Sequence, residues 1–125
     1  MATKAAATTT PPAIGAEWQG GIYAGLTIHD NKPMHLVVLP GDTEATWAKA
    51  GAWAKKQGGE LPSRVDALIL FQNVRPEFKR DAYWTAQPYA GDESFAWCQG
   101  FYGGTQGYGH KSYALRARAV RRFPI

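Results

Sequence analysis

The sequence predicts an α+β fold in which an N-terminal β-hairpin is followed by two helices and a glycine- and aromatic-rich antiparallel sheet at the C-terminal end. Two apolar, partly β-branched runs at residues 22–28 and 34–39 flank a turn-forming segment at residues 30–33, which is the pattern of a hairpin. Two stretches with helical spacing come next, and the last third of the chain consists of short strand-like runs separated by glycine. Because strand and helix patterns do not alternate, they favour an α+β domain over a βαβ arrangement.

Length and composition fit a single domain with one core. The chain has 125 residues, 45% hydrophobic and 13% aromatic, and its single Cys98 excludes an intramolecular disulfide. The first residues are rich in Ala and Thr and lack the apolar core of a signal peptide, and no run approaches the ~18 apolar residues of a membrane span. We therefore expect a flexible leader at residues 1–16 and one domain at residues 17–125, without membrane insertion.

Apolar residues at helical spacing between residues 47 and 54 predict the first helix. Asp42 or Thr43 is expected to provide its N-cap. The paired glycines at positions 58 and 59 are typical of the left-handed C-cap at which such a helix ends.

A second helix is predicted over residues 64–73. Ser63 stands where an N-cap is required, and Pro76 ends the helix. Its inward side is expected to carry Val65, Leu68 and Ile69, with Phe71 as a further candidate.

The strand-like segment at residues 96–101 places larger and smaller side chains at alternate positions. Since alternate side chains of a strand point to opposite faces of its sheet, one face is expected to be buried and the other open. The larger set, expected in the core together with Trp84, is Trp97, Gln99 and Phe101, and the smaller set is Ala96, Cys98 and Gly100.

The strand that follows carries three polar groups of different kinds at a spacing of two residues. These are Gln106, Tyr108 and His110, with glycine at positions 107 and 109 between them. The apolar run at residues 115–120 is expected to lie centrally in the fold, next to the first hairpin, which would bring the two ends of the domain together.

Five motifs, in this order, resemble one family. They are Gly-Gly-Glu-Leu-Pro-Ser-Arg at residues 58–64 after a helix, Tyr-Trp-Thr at 83–85, Ala-Trp with a later Phe at 96–101, Gly-Thr-Gln-Gly-Tyr at 104–108 and Arg-Ala-Arg-Ala-Val-Arg at 116–121. The pattern covers about residues 20–123 and is similar to the Lcl C-terminal-like domains of bacterial and phage proteins, which have the C-type-lectin fold. The variable proteins of diversity-generating retroelements use the same fold.

The resemblance implies a rigid scaffold whose C-terminal sheet and loops form a display surface for a ligand. The residues expected on this surface are Tyr89, Ser94, Phe95, Cys98, Gly100, Tyr102, Gln106, Tyr108, His110 and Tyr113. Stiff tyrosine rings with small polar neighbours are typical of binding surfaces. The alternative is that these rings cover a neighbouring loop or a second copy of the chain.

Activities of other proteins with this fold do not transfer. The sugar-binding motif of calcium-dependent lectins is absent, because Gln87 and Pro88 are followed by Tyr89, and Asp92 and Glu93 are the only neighbouring acids. Formylglycine-generating enzymes use two cysteines, and this chain has one. The sequence therefore predicts neither a metal nor a cofactor.

Two further constellations of side chains have simpler interpretations. Cys98 with His110 as base would make a nucleophile pair, but no acid is placed to orient the histidine, so we expect a protein that is not an enzyme. His29 and His35 flank the hairpin turn, but without a third ligand they are expected to be ordinary hairpin histidines.

Much of the net charge of +4 comes from the C-terminal end, where five basic residues and no acid fall in the last fifteen positions. Arg116 and Arg118 would form a basic stripe for nucleic acid if both were exposed. In the resembled family this strand is internal, which implies instead that the arginines pair with acids such as Glu60, Asp66 and Asp81. Nucleic acid is the less favoured partner.

The resemblance implies a phage- or prophage-encoded module that recognises a protein or glycan through its display surface, as a receptor-binding or variable protein does. The alternative is a cytoplasmic phage inhibitor of a host defence protein. The resemblance thus implies a location in the cytoplasm or on a virion, and either form is compatible with a homo-oligomer or with docking to a larger phage assembly.

Overall fold

The structure, a computed structural model, describes residues 10–125. Within that range two sheets and two α-helices form an α+β domain, which confirms the predicted class. The strands are β1 Glu17–Trp18, β2 Gly21–His29, β3 Lys32–Val38, β4 Thr43–Ala45, β5 Ala82–Pro88, β6 Phe95–Gly100, β7 Gln106–His110, β8 Leu115–Ala117 and β9 Val120–Pro124. The helices are α1 Trp47–Lys56 and α2 Arg64–Val74, and a 3-10 turn, Arg75–Glu77, follows α2.

The two sheets have the strand orders β1-β2-β3-β9 and β4-β8-β5-β6-β7. β2 and β3 are the predicted hairpin, and its turn places Asp30 and Asn31 at positive φ, which these residue types tolerate. The C-terminal run is divided between the sheets: β8 lies between β4 and β5, whereas β9 pairs with β3. Because β8 runs parallel to β5, the second sheet is mixed, and the prediction that it is antiparallel throughout is wrong. The run therefore lies next to the hairpin as expected, but β9 is at the edge of its sheet in the strand order. The rings of Trp18 in β1 and Phe123 in β9 are 5.8 Å apart, so the two ends of the domain are close together.

The first helix starts later than predicted. Thr46 occupies its N-cap position, because the residues just before it form β4 and pair with β8. The expected cap at Asp42 or Thr43 is therefore wrong. The C-terminal end agrees with the prediction, since Gly58 has a φ of +91° in the left-handed region.

The second helix starts at the predicted residue and ends one residue later than predicted, but a different side of it faces inward. Ser63 forms a capping box with Asp66: the Ser63 side chain accepts from the Asp66 amide at 3.0 Å, and the Asp66 carboxylate accepts from the Ser63 amide at 2.9 Å. Val65 and Leu68 are exposed, while Asp66 and Leu70 are buried. The prediction for Val65 and Leu68 is wrong because most of the residues between 65 and 71 are apolar, and apolar spacing alone does not choose a side.

The second sheet is packed between the two helices. Trp84 is fully buried in an apolar cluster that includes Ala50 and Ala54 of α1. Its neighbour Tyr83 belongs to the cluster formed with Leu70 of α2. Since adjacent residues of a strand point to opposite faces, α1 covers one face of the sheet and α2 covers part of the other.

The arginines of the last strands form the network that the resemblance implies. Arg122 forms ion pairs with Glu60 and with Asp66, and Arg116 forms ion pairs with Asp42 at 2.9 Å and with Asp81 at 3.5 Å. Arg118 is buried and donates to the backbone carbonyls of residues 39 and 77. Arg116 and Arg118 therefore do not form an exposed basic stripe, which agrees with the internal strand that the resemblance implies.

Residues 1–9 of the predicted leader lie outside the described residues. Gly15 donates its amide to the Tyr23 carbonyl at 2.8 Å, and the Ala16 carbonyl accepts from the Tyr23 amide at 2.9 Å. The chain is thus attached to β2 just before the expected domain boundary at residue 17. No helix of residues 10–125 is both long and apolar enough to cross a membrane.

Candidate binding face

The pairing of β6 with β7 decides which side chains share a face. In this register Trp97 lies opposite Tyr108, and Cys98 lies opposite Gly107. Because cross-strand partners point to the same side, Trp97 and Tyr108 lie on one face with the other odd-numbered residues of β6. Cys98 lies on the other face, together with both glycines of β7. The even-numbered residues of β6 and the even-numbered residues of β7 therefore lie on opposite faces of the sheet. The sequence interpretation that placed Cys98 on the same face as Tyr108 and His110 is wrong.

The face that carries Trp97 is covered by α2 at one end and open at the other. Gln99 is fully buried, and Phe101 is packed against Phe71 of α2 with ring centroids 5.8 Å apart. Trp97, two residues further along, is only half-buried. The core assignments of Trp84 and Phe101 are confirmed, and that of Trp97 is wrong because α2 covers only the Gln99 end of β6.

Beyond α2 the open part of this surface is a connected cluster of rings, which we call the aromatic face. It consists of Tyr89, Phe95, Trp97, Tyr108, His110 and Tyr113. Each member contacts at least one other at a centroid distance between 3.9 and 6.0 Å. Tyr108 and Tyr113 expose 50% and 59% of their surface. Five of the six were predicted as site residues, and Trp97 was not.

The centre of the aromatic face is the stacked pair Tyr89 and Tyr108. Their rings are nearly parallel at 3.9 Å, and both meet the Trp97 ring edge to face. A hydrogen bond between the two hydroxyls raises the pKa of Tyr89. Gly91 permits this arrangement, because a Cβ at that position would come within 2.6 Å of the Tyr89 ring.

The β5–β6 loop and the turn after β7 complete the rim. Ser94 is exposed, its amide donates to the Asp92 carboxylate at 2.9 Å, and its carbonyl accepts from the Lys111 amide at 2.8 Å. The Ser112 amide donates to Nδ1 of His110 at 3.2 Å, which places the proton of the neutral ring on Nε2. Ser94 and His110 thus lie at the end of the aromatic face, as the sequence predicts.

Gln106 lies on the same face but is engaged within the protein. Its amide nitrogen donates to the Arg64 carbonyl at 2.8 Å and to the buried Gln99 side chain at 3.0 Å, and its amide oxygen accepts from Nε of Arg64 at 2.9 Å. The Arg64 guanidinium in turn lies 3.5 Å from the centroid of the Trp97 ring. Gln106 therefore positions Arg64, a residue for which the sequence offered no functional signal.

The remaining predicted residues lie elsewhere. Cys98 packs against the apolar cluster on the α1 side of the sheet, and burial raises the pKa of its thiol. Gly100 is buried. Tyr102 is exposed but lies past the opposite end of β6, where it borders a separate cleft with Arg75 and Arg80.

The structure does not bring together the side chains considered as a catalytic pair or as a metal site. Cys98 and His110 lie on opposite faces of the second sheet, as the register requires. His29 pairs with Lys32 and His35 with Leu26, so these two histidines also point to opposite sides of the hairpin. No group of three or more His, Cys, Asp or Glu side chains suited to a metal occurs among residues 10–125.

In comparisons with known proteins, the sequence matches no protein-family model and no curated protein at a significant level. The aromatic face is therefore interpreted from its own geometry. The sequence contained a signal for Trp97, because Trp97 is two residues from Phe95 in the same strand and therefore lies on the same face. Whether α2 covers Trp97 depends on the tertiary packing, which the sequence pattern does not show.

Proposed function

We propose that this domain is a non-enzymatic ligand-binding module that recognises a protein or glycan through the aromatic face. The single observation that carries the proposal is the cluster itself: six rings in mutual contact, with Tyr108 and Tyr113 at least half exposed, on the surface of a sheet. Tyr and Trp supply large contact areas at a low entropic cost, because each has only two side-chain torsions. Rings that already brace one another lose still less freedom on binding.

We further propose that the fold is C-type-lectin-like and that the protein belongs with the Lcl C-terminal-like domains and the variable proteins of diversity-generating retroelements. Support comes from five motifs in order, from the α+β arrangement with two helices, and from chain ends that meet at Trp18 and Phe123. A phage or prophage origin follows from the same resemblance. Surface receptors and host defence proteins are the two partner classes that it suggests.

The test begins with capture of partners from two separate host fractions, one cytoplasmic and one from the outer surface, each with and without a calcium chelator. The affinity of a captured partner is then measured for the double variant Tyr108→Ala, Tyr113→Ala and for Tyr102→Ala. Tyr102 is a matched control, because it is a tyrosine of similar exposure, 58%, that lies outside the aromatic face.

We expect the double variant to weaken binding by about 2 kcal/mol or more, the range of interface hot spots, and Tyr102→Ala to change it little. A partner from the cytoplasmic fraction would favour the inhibitor, and one from the surface fraction would favour receptor recognition. Equal affinity of the wild type and the double variant would refute the proposal, as would an equal loss in the control.

A further inference from the structure

Arg64 is held in one orientation at the border of the aromatic face. Its guanidinium is stacked on Trp97, its Nε donates to Gln106, and its own amide donates to the Gln87 side chain at 3.0 Å. Gln106 is fixed in turn by the fully buried Gln99. The planar fork of this arginine is therefore pre-organised, and little side-chain freedom remains to be lost when it binds something.

Within the part of the chain that the structure describes, the two outer nitrogens of the same guanidinium have no hydrogen-bond acceptor. Among residues 10–125, neither Nη1 nor Nη2 of Arg64 donates a hydrogen bond, and no carboxylate forms an ion pair with the Arg64 side chain. Arg116 and Arg122, by contrast, each pair with two carboxylates. Glu60 and Asp66 are thus used by Arg122, and Asp42 and Asp81 by Arg116.

We propose that Arg64 is the anion-recognition residue of the aromatic face and binds an Asp or Glu carboxylate of a protein partner through Nη1 and Nη2. This inference rests on the proposed function and narrows its ligand class. A fork with two free parallel donors matches the two oxygens of a carboxylate. The positive charge belongs to this surface, because Arg64 is stacked on Trp97, one of the six rings of the aromatic face.

The geometry of the rings favours a protein over a sugar as the source of the carboxylate. The Tyr89 and Tyr108 rings are stacked on each other, and Arg64 lies over the Trp97 ring, so much of the flat ring surface is already used inside the cluster. What remains open are ring edges, hydroxyls and the arginine fork. Tyr, Trp and Arg are the residues enriched at the centres of protein interfaces.

The experiment uses four small probes and the full chain labelled with ¹⁵N. The probes are 4-hydroxyphenylacetate, its neutral amide, phenyl phosphate and glucuronate. Binding is followed by the NMR shifts of the Arg64 Nε–H and Trp97 indole N–H groups during titration. The proteins compared are the wild type, Arg64→Lys, Arg64→Gln and Arg75→Gln.

Arg75→Gln is the matched control. Arg75 is also stacked on a ring, that of Phe71 at 3.8 Å, and its Nε also donates within the protein, to the Phe71 carbonyl. It lies outside the aromatic face. Arg75→Gln therefore removes an equivalent charge and an equivalent stacked guanidinium from a position outside the aromatic face.

We expect saturable shifts with 4-hydroxyphenylacetate and none with the amide. Arg64→Lys, which keeps the charge but loses the fork, is expected to weaken binding at least about tenfold, as Arg64→Gln should, because a charge-assisted bidentate contact is lost. Arg75→Gln is expected to bind like the wild type. Urea denaturation of each variant establishes that the Arg64 variants remain folded.

Three results would overturn the inference. Absence of saturation with every anion would remove the site, and equal binding by wild type and Arg64→Gln would move it elsewhere. Saturation by glucuronate or phenyl phosphate alone would overturn the assignment to a protein carboxylate. The inference is separable from the proposed function, because a captured partner that is lost by Tyr108→Ala, Tyr113→Ala but retained by Arg64→Gln would refute only the role of Arg64.

Discussion

Replacement of Asp66 by asparagine tests the buried ion pair that joins α2 to both the first hairpin and the last strand. Asp66 is fully buried, and its carboxylate accepts four hydrogen bonds: from Thr27 at 2.6 Å, from the Ser63 amide at 2.9 Å, and from Arg122 at 3.0 and 2.5 Å. Asparagine preserves the shape but removes the charge and places donors where acceptors are needed. The Arg122 side chain, only 5% exposed, would lose its buried counter-ion.

The expected loss is about 3–5 kcal/mol, the cost of breaking a buried ion pair by removing one partner. It should fall towards the lower end, because Glu60 remains beside Arg122. A domain of this size has a total stability of only about 5–15 kcal/mol, so the variant would keep a narrow margin. With a urea slope of about 2 kcal/mol per molar, the midpoint should fall by roughly 1.5–2.5 M.

The assay is urea denaturation of Asp66→Asn, Arg122→Met and the double variant, with Glu60→Gln as control. The Glu60 side chain is 54% exposed, so its loss should cost less than about 1 kcal/mol. We expect the double variant to be more stable than the sum of the single losses predicts, because it leaves no unpaired buried charge. Additive losses, or a cost below about 1 kcal/mol for Asp66→Asn, would refute the reasoning.

Two further outcomes follow from the two faces of the second sheet. Trp84→Ala should destabilise the domain by about 3–5 kcal/mol in urea denaturation, because Trp84 is fully buried. Trp97 is half-buried on the aromatic face, so Trp97→Ala should cost about 1–2 kcal/mol. Equal losses of stability would contradict the faces assigned to the two residues. Because burial raises the pKa of the Cys98 thiol, little thiolate is present at pH 8. The reaction of Cys98 with Ellman's reagent should therefore be slower in the folded protein than in the urea-unfolded chain, and it should accelerate as the pH rises. Equal rates in the folded and unfolded protein would be incompatible with the buried position of Cys98.

The sequence was sufficient for the order of the elements and for most of their limits. Three signals are local, because each determines the structure at its own position in the chain: the turn residues Asp30 and Asn31, the helix cap Ser63 and the paired glycines after α1. The short strand β4 was missed because it has three residues and depends on pairing with β8, in which Arg116, the partner of Glu44, lies 72 positions further along the chain.

The candidate site could be predicted only in part, for a geometric reason. Tyr108 and His110 were recognisable from residue type and spacing, but the face of Cys98 depends on the register between two strands, which parity within one strand does not determine. The environment of Trp97 depends on how far α2 reaches along β6. Arg64 was missed because its stacking partner is 33 positions away in the chain.

The glycines of β7 separate the side chains of the aromatic face from the packing of the core on the other side of the sheet. Gly107 and Gly109 contribute no side chains to the α1 side, and a Cβ at Gly109 would lie 3.6 Å from the ring of the fully buried Trp84. Residues of β7 that carry large side chains therefore point only towards the aromatic face. Substitution of Tyr108 or His110 would therefore change the ring contacts of the aromatic face and leave the packing around Trp84 in place. A strand built in this way allows the side chains of the aromatic face to differ while the core behind the sheet is retained.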